Sequence, residues 1–445
     1  KHSIFVFFTD YAQSNYKEEK YMLLTSVHKE QLKTDIHDDL LKQVYVTQDI
    51  SSYKQRLLTL IEGYEQRFDE TEVAIFSAPG RTELGGNHTD HQHGNILAAS
   101  VNLDIIACAA PNHTNIIRIQ SEGYPMEEIC IDHLDIKPEE NNTTAALIRG
   151  MVAAVVQKGY TVHGFDAYAM SNVLSGSGLS SSAAYETLIG IILNHFFCED
   201  ALTAIEIAKM GQFAENVYFG KPSGLMDQMA SSVGNVVQID FRNPAQPKIE
   251  EISFSFATCG HALCIIDSGA DHADLTEEYA AITKEMKQIA AHFKQEVLRN
   301  VDEVQFFSTL PTLRTQYGDR AVLRAAHFFA DDRRAIAEAD ALKQNNFNRF
   351  CTLLKQSGQS SFMYLQNVYS NPQQQAISVA LMLTERLLDG QGAFRIHGGG
   401  FAGTIQAFVP NAILDTFQDS IEAVFGTGSC HVLQIRPVGG IVLLK

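Results

Sequence analysis

Two stretches of this 445-residue chain hold side chains in numbers and spacings suited to chemistry. Ser175 to Ala184 reads Ser-Gly-Ser-Gly-Leu-Ser-Ser-Ser-Ala-Ala, a glycine-serine loop between a strand-like and a helix-like run. Gly176 and Gly178 let a backbone come close to a ligand. The N–H groups of a helix's first turn carry positive partial charge, so an anion such as phosphate can sit there. Ser180, Ser181 and Ser182 add hydroxyls able to cap the helix, bond phosphate oxygens or ligate a hard cation; a plain capped turn is the competing reading. Arg81 to Gly94 (Arg-Thr-Glu-Leu-Gly-Gly-Asn-His-Thr-Asp-His-Gln-His-Gly) gathers a guanidinium, two carboxylates and three imidazoles with almost nothing apolar. Burying such a set without ligands is costly. Paired donors and acceptors of this kind suit the hydroxyls of a sugar or polyol. A solvated loop and a metal site are the alternatives, and the spacing of His88, His91 and His93 matches no usual zinc pattern. Two acids stand apart: Glu215 beside the apolar face of a helix, where a Glu is ordinarily solvated, and Asp227 among small and apolar neighbours, where a carboxylate needs a partner or a task.

The elements that must position these groups can be read from periodicity. Phe165 to Val173 alternates as a strand, and Ala184, Leu188, Ile191 and Ile192 recur at helical spacing, so a helix begins among the serines. Val73 to Phe76 reads as a strand running into Ala78-Pro79-Gly80, and Ile96 to Ala110 as a buried apolar element. Helical spacing marks Leu41 to Phe68, Asn141 to Gly159, Leu202 to Phe219 with Gly220 as its stop, Asp271 to His292, and most of 300 to 390. Short strands are expected from Val237 to Phe256 and at Ala262 to Asp267, with strand, glycine turn and strand from Arg395 to Phe408. Gly398, Gly400 and Gly403 satisfy G-x-G-x-x-G, but a strand-like run follows them, so the dinucleotide reading fails. No G-x-x-x-x-G-K-[ST] occurs, since Pro222 follows Gly220-Lys221, and no H-R-D or D-F-G set exists. A phosphotransferase here is neither of P-loop nor of protein-kinase type.

The length implies two or three domains. A formal charge of −18 without a basic cluster argues against nucleic acid, and a polyphosphate substrate would need help from helix dipoles and a divalent cation. Seven scattered cysteines without a Cys-x-x-Cys pair suit a reducing compartment and no zinc site. No apolar run reaches the roughly 18 residues of a membrane span. The expectation is a cytoplasmic monomer, oligomers left open, with residues 1–40 an extension of unknown role.

Ala78 to Asp90, Gly178 to Ala183, Ser223 to Gln228 and Gly398 to Gly403 together resemble the ordered motifs of the GHMP small-molecule kinases, with the His-Thr-Asp of the first pointing to the galactokinase branch. The resemblance covers roughly residues 60 to 445. It implies an α/β fold of two domains, 41–226 and 227–445, with ATP and sugar in the cleft between them. It further implies transfer of the γ-phosphate of ATP to the C1 hydroxyl of D-galactose, with Asp227 and Arg81 at the attacking hydroxyl. Gly176, Ser177, Gly178, Leu179, Ser180, Ser181 and Ser182 would cradle the ATP phosphates. Ser182 and Glu215 would hold Mg²⁺, and Asn87, His88, Asp90 and Tyr279 would contact the sugar. Gly398, Gly399 and Gly400 would lie near a ligand. The chain departs from the branch in carrying Asn87 where it carries the Glu that meets the C6 hydroxyl, Glu83 where it has Asn, and Asp271 where it has Arg. Loss of the carboxylate at 87 suggests a C6 or C2 variant of galactose, a uronic acid above all, as the alternative acceptor. A galactose sensor without catalysis is a third reading.

Overall fold

The computed structural model describes residues 22–173, 178–221, 223–269, 275–401 and 403–445. Gly176 and Ser177 of the expected phosphate loop, Asp271 and residues 1–21 lie outside them. A two-residue strand, β1 (Leu23–Leu24), borders β2 (Glu72–Gly85), which forms a long antiparallel hairpin with β3 (Asn95–Pro111). β4 (Ile116–Ser121), β5 (Met126–Cys130) and β6 (Phe165–Ser171) extend the sheet, with β4 parallel to β6. β7 (Val236–Asp240) and β8 (Lys248–Ile252) attach to the other end of β3.

The apolar runs of β2 and β3 are unbroken because helices cover both faces. Ala74, Phe76, Ala107 and Ala109 face the Thr144–Gln157 and Ser181–Phe197 helices, whereas Val73, Ile75, Ile106 and Cys108 face Asp38–Tyr45 and Ser51–Phe68. A strand buried on both sides loses the alternation expected of a half-exposed one.

A second, antiparallel sheet consists of β9 (His261–Asp267), β10 (Ala393–Ile396), β11 (Thr404–Pro410) and β12 (Cys430–Leu433), in the order β10-β11-β9-β12. Between β9 and β10 lies the helical block, including the 25-residue helix Asp319–Lys343. The chain then returns, and β13 (Ile441–Leu444) pairs with β2 of the first sheet. The division was expected at 226/227. It falls inside the Met226–Val233 helix, and the change of sheet comes between Ile252 and His261. Within residues 22–40, Leu32 packs in the first core, and His28 Nε2 is bonded to the Val73 carbonyl at 3.2 Å. No described helix is long and apolar enough to cross a membrane.

One buried carboxylate ties these parts together. Asp104 accepts from Tyr45 at 2.8 Å, Ser77 at 2.5 Å, Arg56 at 2.5 Å and Arg436 at 3.2 Å. Burial pushes its carboxyl up, but Arg56 and Arg436 more than reverse this, leaving it below the usual aspartate value. The cluster thus contributes stability above the unfolded-chain value of about 3.9 and loses it as pH falls through the lower folded value. Tm should fall on acidification below pH 4, and Asp104→Asn should remove part of that slope. An unchanged slope would count against the cluster.

Candidate active site

Strand β2, expected over Val73 to Phe76, runs on through Ala78-Pro79-Gly80 to Gly85 and carries the first half of the Arg81–Gly94 motif. Charge pairing sustains it there: Arg81 and Glu83 are both buried, each against a partner of opposite sign. Between them the register against Ser100 and Ala98 is regular, so the two side chains share a face about 7 Å apart.

Arg81 meets Asp227 as a fork, Nε to Oδ1 and Nη2 to Oδ2 at 2.7 Å each. Asp227 stands in the first turn of the Met226–Val233 helix and also accepts from Ser180 Oγ at 2.7 Å. Burial pushes the Asp227 carboxyl up; Arg81, Ser180 and Lys221 outweigh it and hold the group below its ordinary value, hence ionised at neutral pH.

Ser180 is left-handed, φ 56°, and precedes the Ser181–Phe197 helix, which begins among the serines as expected. Its hydroxyl serves Asp227 instead of capping. The first N–H groups of that helix have no intrahelical acceptor by geometry. Ser181 and Ser182 are partly exposed there, while Leu179 is a core side chain whose carbonyl accepts from Arg81 N at 3.0 Å. Gly178 lies against the glycine turn: a Cβ on Gly398 would stand 4.0 Å from Gly178 Cα.

That turn is a hub. Gly398 O accepts from Asn87 Nδ2 at 2.8 Å, Gly399 O is bonded to His88 Nε2 at 3.0 Å, and Gly400 O accepts from the Tyr279 hydroxyl at 2.8 Å. Burial and neighbouring His91 push the His88 imidazole down to about 4, so it is neutral at pH 7 and Nε2–H donates. Asp90 faces Gly224, where a Cβ would stand 2.5 Å from Asp90 Oδ2, so any larger residue there would push the Asp90 carboxylate aside.

Arg81, Glu83, His88, Asp90, Asp227 and Tyr279 line one cavity of about 290 Å³, with Gly398 and Gly399 in its wall. It adjoins a groove of about 1010 Å³ that shares His88, Asp90, Lys221 and Tyr279. Asn87 is the exception among the expected sugar residues. It is fully buried, its amide nitrogen bonds Glu83 and Gly398, and its oxygen accepts from Ser361 at 3.1 Å and Asn367 at 2.9 Å. With both ends of the amide engaged within the protein, Asn87 fastens the glycine turn to Glu83, Ser361 and Asn367. Its neighbour Glu83 does reach the cavity, beside Asp90 and Asp227, and is held by Arg395 at 2.6 Å and Asn87 at 3.0 Å. Burial pushes the Glu83 carboxyl up, with Arg395 and Arg81 opposing.

Glu215 sits where the expected single helix becomes two: Ala204–Phe213 is α-helical, and Ala214–Phe219 is a π-helical turn. The wider turn points Glu215 inward, 2% exposed, contrary to the solvated position ordinary for a helical Glu. Glu215 Oε2 accepts from Gln228 Nε2 at 2.9 Å, which also donates to Glu186 Oε2 at 2.9 Å; Glu215 Oε1 holds the Lys221 ammonium at 2.9 Å. Ser182 lies one turn before Glu186 on the same helix face, and so on the side that Glu215 occupies. Burial and the nearby Glu215 push Glu186 well above the carboxylate range. Lys221, Gln228 and Glu186 were missed by sequence reasoning; the i, i+4 step from Ser182 to Glu186 was the available signal.

Residues 62–111 match the galactokinase galactose-binding signature and residues 146–235 the N-terminal domain of GHMP kinases. The first span contains the Arg81–Gly94 motif; the second contains the serines, Glu215 and Asp227. Lactococcus lactis galactokinase complexed with galactose has the same architecture, with a TM-score of 0.75 at 22% identity over 87% of this chain and 100% of that one. Methanococcus jannaschii mevalonate kinase gives 0.59 at 14% over 82% and 98%. A D-glycero-D-manno-heptose 1-phosphate kinase from Bacteriodes thetaiotaomicron gives 0.56 at 14% over 82% and 97%. The fold is the α/β fold of GHMP kinases, as expected.

Proposed function

We propose that this chain, an ATP-dependent sugar kinase of GHMP fold, transfers the γ-phosphoryl group to the anomeric C1 hydroxyl of D-galactose. The observation that carries the reading is the Arg81–Asp227 fork at one end of a cavity lined by polar groups. Asp227, kept ionised, accepts the proton of the hydroxyl as its oxygen attacks phosphorus in line. Arg81 keeps that carboxylate charged and offsets negative charge growing on the phosphoryl oxygens. Ser180 fixes the second carboxylate oxygen. Gly178 to Ser182 lie at the positive end of the Ser181–Phe197 helix and, with Gly176 and Ser177 of the same motif, would cradle the ATP phosphates.

Ser182 and Glu215 would hold Mg²⁺, and the fit is good: Glu215 Oε1 already carries a cation, the Lys221 ammonium. Among the described residues no three His, Cys, Asp or Glu side chains converge on a metal, so two protein oxygens would leave the remaining positions to water and phosphate, as Mg²⁺ prefers. When bound, the ion would neutralise charge on the transferring phosphates.

For the acceptor, Glu83 replaces Asn87 as the deciding residue. A carboxyl about 7 Å along the strand from Arg81 spans roughly the length of a hexose and bonds a hydroxyl at the end away from C1. This favours a neutral sugar over a uronate. His88, Asp90 and Tyr279 complete the walls. The adjoining groove favours a second reading, in which N-acetylgalactosamine is taken with its larger C2 substituent. The scattered cysteines, with no Cys-x-x-Cys pair, suit a cytoplasmic enzyme, here read as a monomer.

A panel of D-galactose, D-galacturonate, N-acetylgalactosamine, glucose and L-arabinose with ATP and Mg²⁺, the product read by NMR, tests this. Galactose 1-phosphate is the expected product. Preference for the uronate would overturn the role given to Glu83, and no turnover of any sugar would overturn the kinase reading.

A further inference from the structure

Lys221 is fastened to Glu215 at two points. Its backbone N–H donates to the Glu215 carbonyl at 3.1 Å, and its ammonium to Glu215 Oε1 at 2.9 Å. The first contact is set by Gly220, left-handed at φ 86°, which ends the π-helical turn and folds the chain back over it. The lysine stem is therefore aimed at the carboxylate by local backbone geometry. The other oxygen of Glu215 is held by Gln228, so Oε1 is the one left to meet a cation, and the ammonium occupies it. Lys221 also lines both the 290 Å³ cavity and the larger groove, so its side chain has polar space to enter on leaving Glu215.

We propose that Lys221 is a resident stand-in for the divalent cation: it holds Glu215 in its ligating position and must be displaced from Oε1 before a metal ion binds there. The lysine acts on metal affinity as a competitor. Affinity in the resting chain is reduced by the fraction of molecules in which the ammonium is away from the carboxylate. The displaced ammonium then faces the acceptor cavity, adding positive charge where a phosphoryl group transfers. The inference rests on the kinase reading only for the identity of the metal.

The experiment is titration of the full-length chain with Mn²⁺ alone, without sugar or nucleotide, followed by electron paramagnetic resonance. Lys221→Met, which keeps most of the stem and removes the charge, should bind Mn²⁺ about tenfold tighter than the unaltered chain. Adding Glu215→Gln should abolish that gain. Affinity equal within about twofold, or a gain that persists in the double variant, would overturn the proposal. Should the variant fold poorly, acylation of Lys221 in the unaltered chain gives a second reading: Mn²⁺ should speed its labelling severalfold, and an unchanged rate would overturn the displacement. Because no acceptor is present, a wrong sugar leaves this result standing, whereas failure here leaves the sugar panel untouched.

Discussion

Asp227→Asn is expected to lower kcat by about 10²- to 10⁴-fold, the range for losing a positioned proton acceptor, with a smaller change in sugar KM. The amide is close to isosteric, so the cavity keeps its shape. It still accepts one bond from Arg81, but its NH₂ turns toward a guanidinium N–H and cannot accept the second. A stability loss of about 1–3 kcal/mol should accompany the change, from the buried donor left unsatisfied. Coupled ADP release measures the rate, and circular dichroism through the melting transition separates catalysis from folding. Retention of activity within about fivefold would remove Asp227 from its role. Arg81→Leu should be worse for the fold than for chemistry alone, since it strands an ionised carboxylate.

The largest stability effect is expected from Asp331→Ala. This fully buried carboxylate on the Asp319–Lys343 helix accepts from the Asn87 N–H at 2.8 Å and from Ser357 at 3.2 Å, and it pairs with Arg334. Burial pushes its carboxyl up; His327, Arg334 and Arg395 reverse this, so it is charged in the folded protein. Removing it leaves cations and a backbone donor uncompensated, at a cost of about 3–5 kcal/mol, read as a lower urea midpoint at similar m-value. The same bond docks the sugar motif on the helix, so sugar KM should rise more than kcat falls. An unchanged KM in a folded variant would mean that the motif keeps its position without the helix.

The sequence made Asp227, Arg81 and the serine loop legible because their chemistry is local in kind: a carboxylate among apolar neighbours and glycines before a helix are unusual wherever they fold. The bonding of Asn87 was not legible because its partners are remote. Ser361, Asn367 and Gly398 lie some 270 residues or more along the chain, and no local pattern announces that an amide is already saturated. Glu83 was noticed only as a departure, since the strand was expected to end before it and a loop carboxyl has no fixed direction. Glu215 was read on an ordinary helix, and the π-helical turn that points it inward has no marker in composition. Sheet membership was hidden for a similar reason: short apolar runs at 236–252 and 441–444 show that strands exist, not which sheet receives them.

The return of the chain to the first sheet has a consequence for synthesis. Between β8 and β13 about 190 residues must emerge, about 10–40 s at ordinary elongation rates. Throughout that interval the Ile75–Ser77 edge of β2 lacks its partner and Asp104 lacks Arg436. The sheet made first is thus completed last, with an apolar strand edge open to other nascent chains on the same message. Slowing translation in the second half of the gene should lower soluble yield, whereas adding the 430–445 segment as a separate peptide during synthesis should raise it.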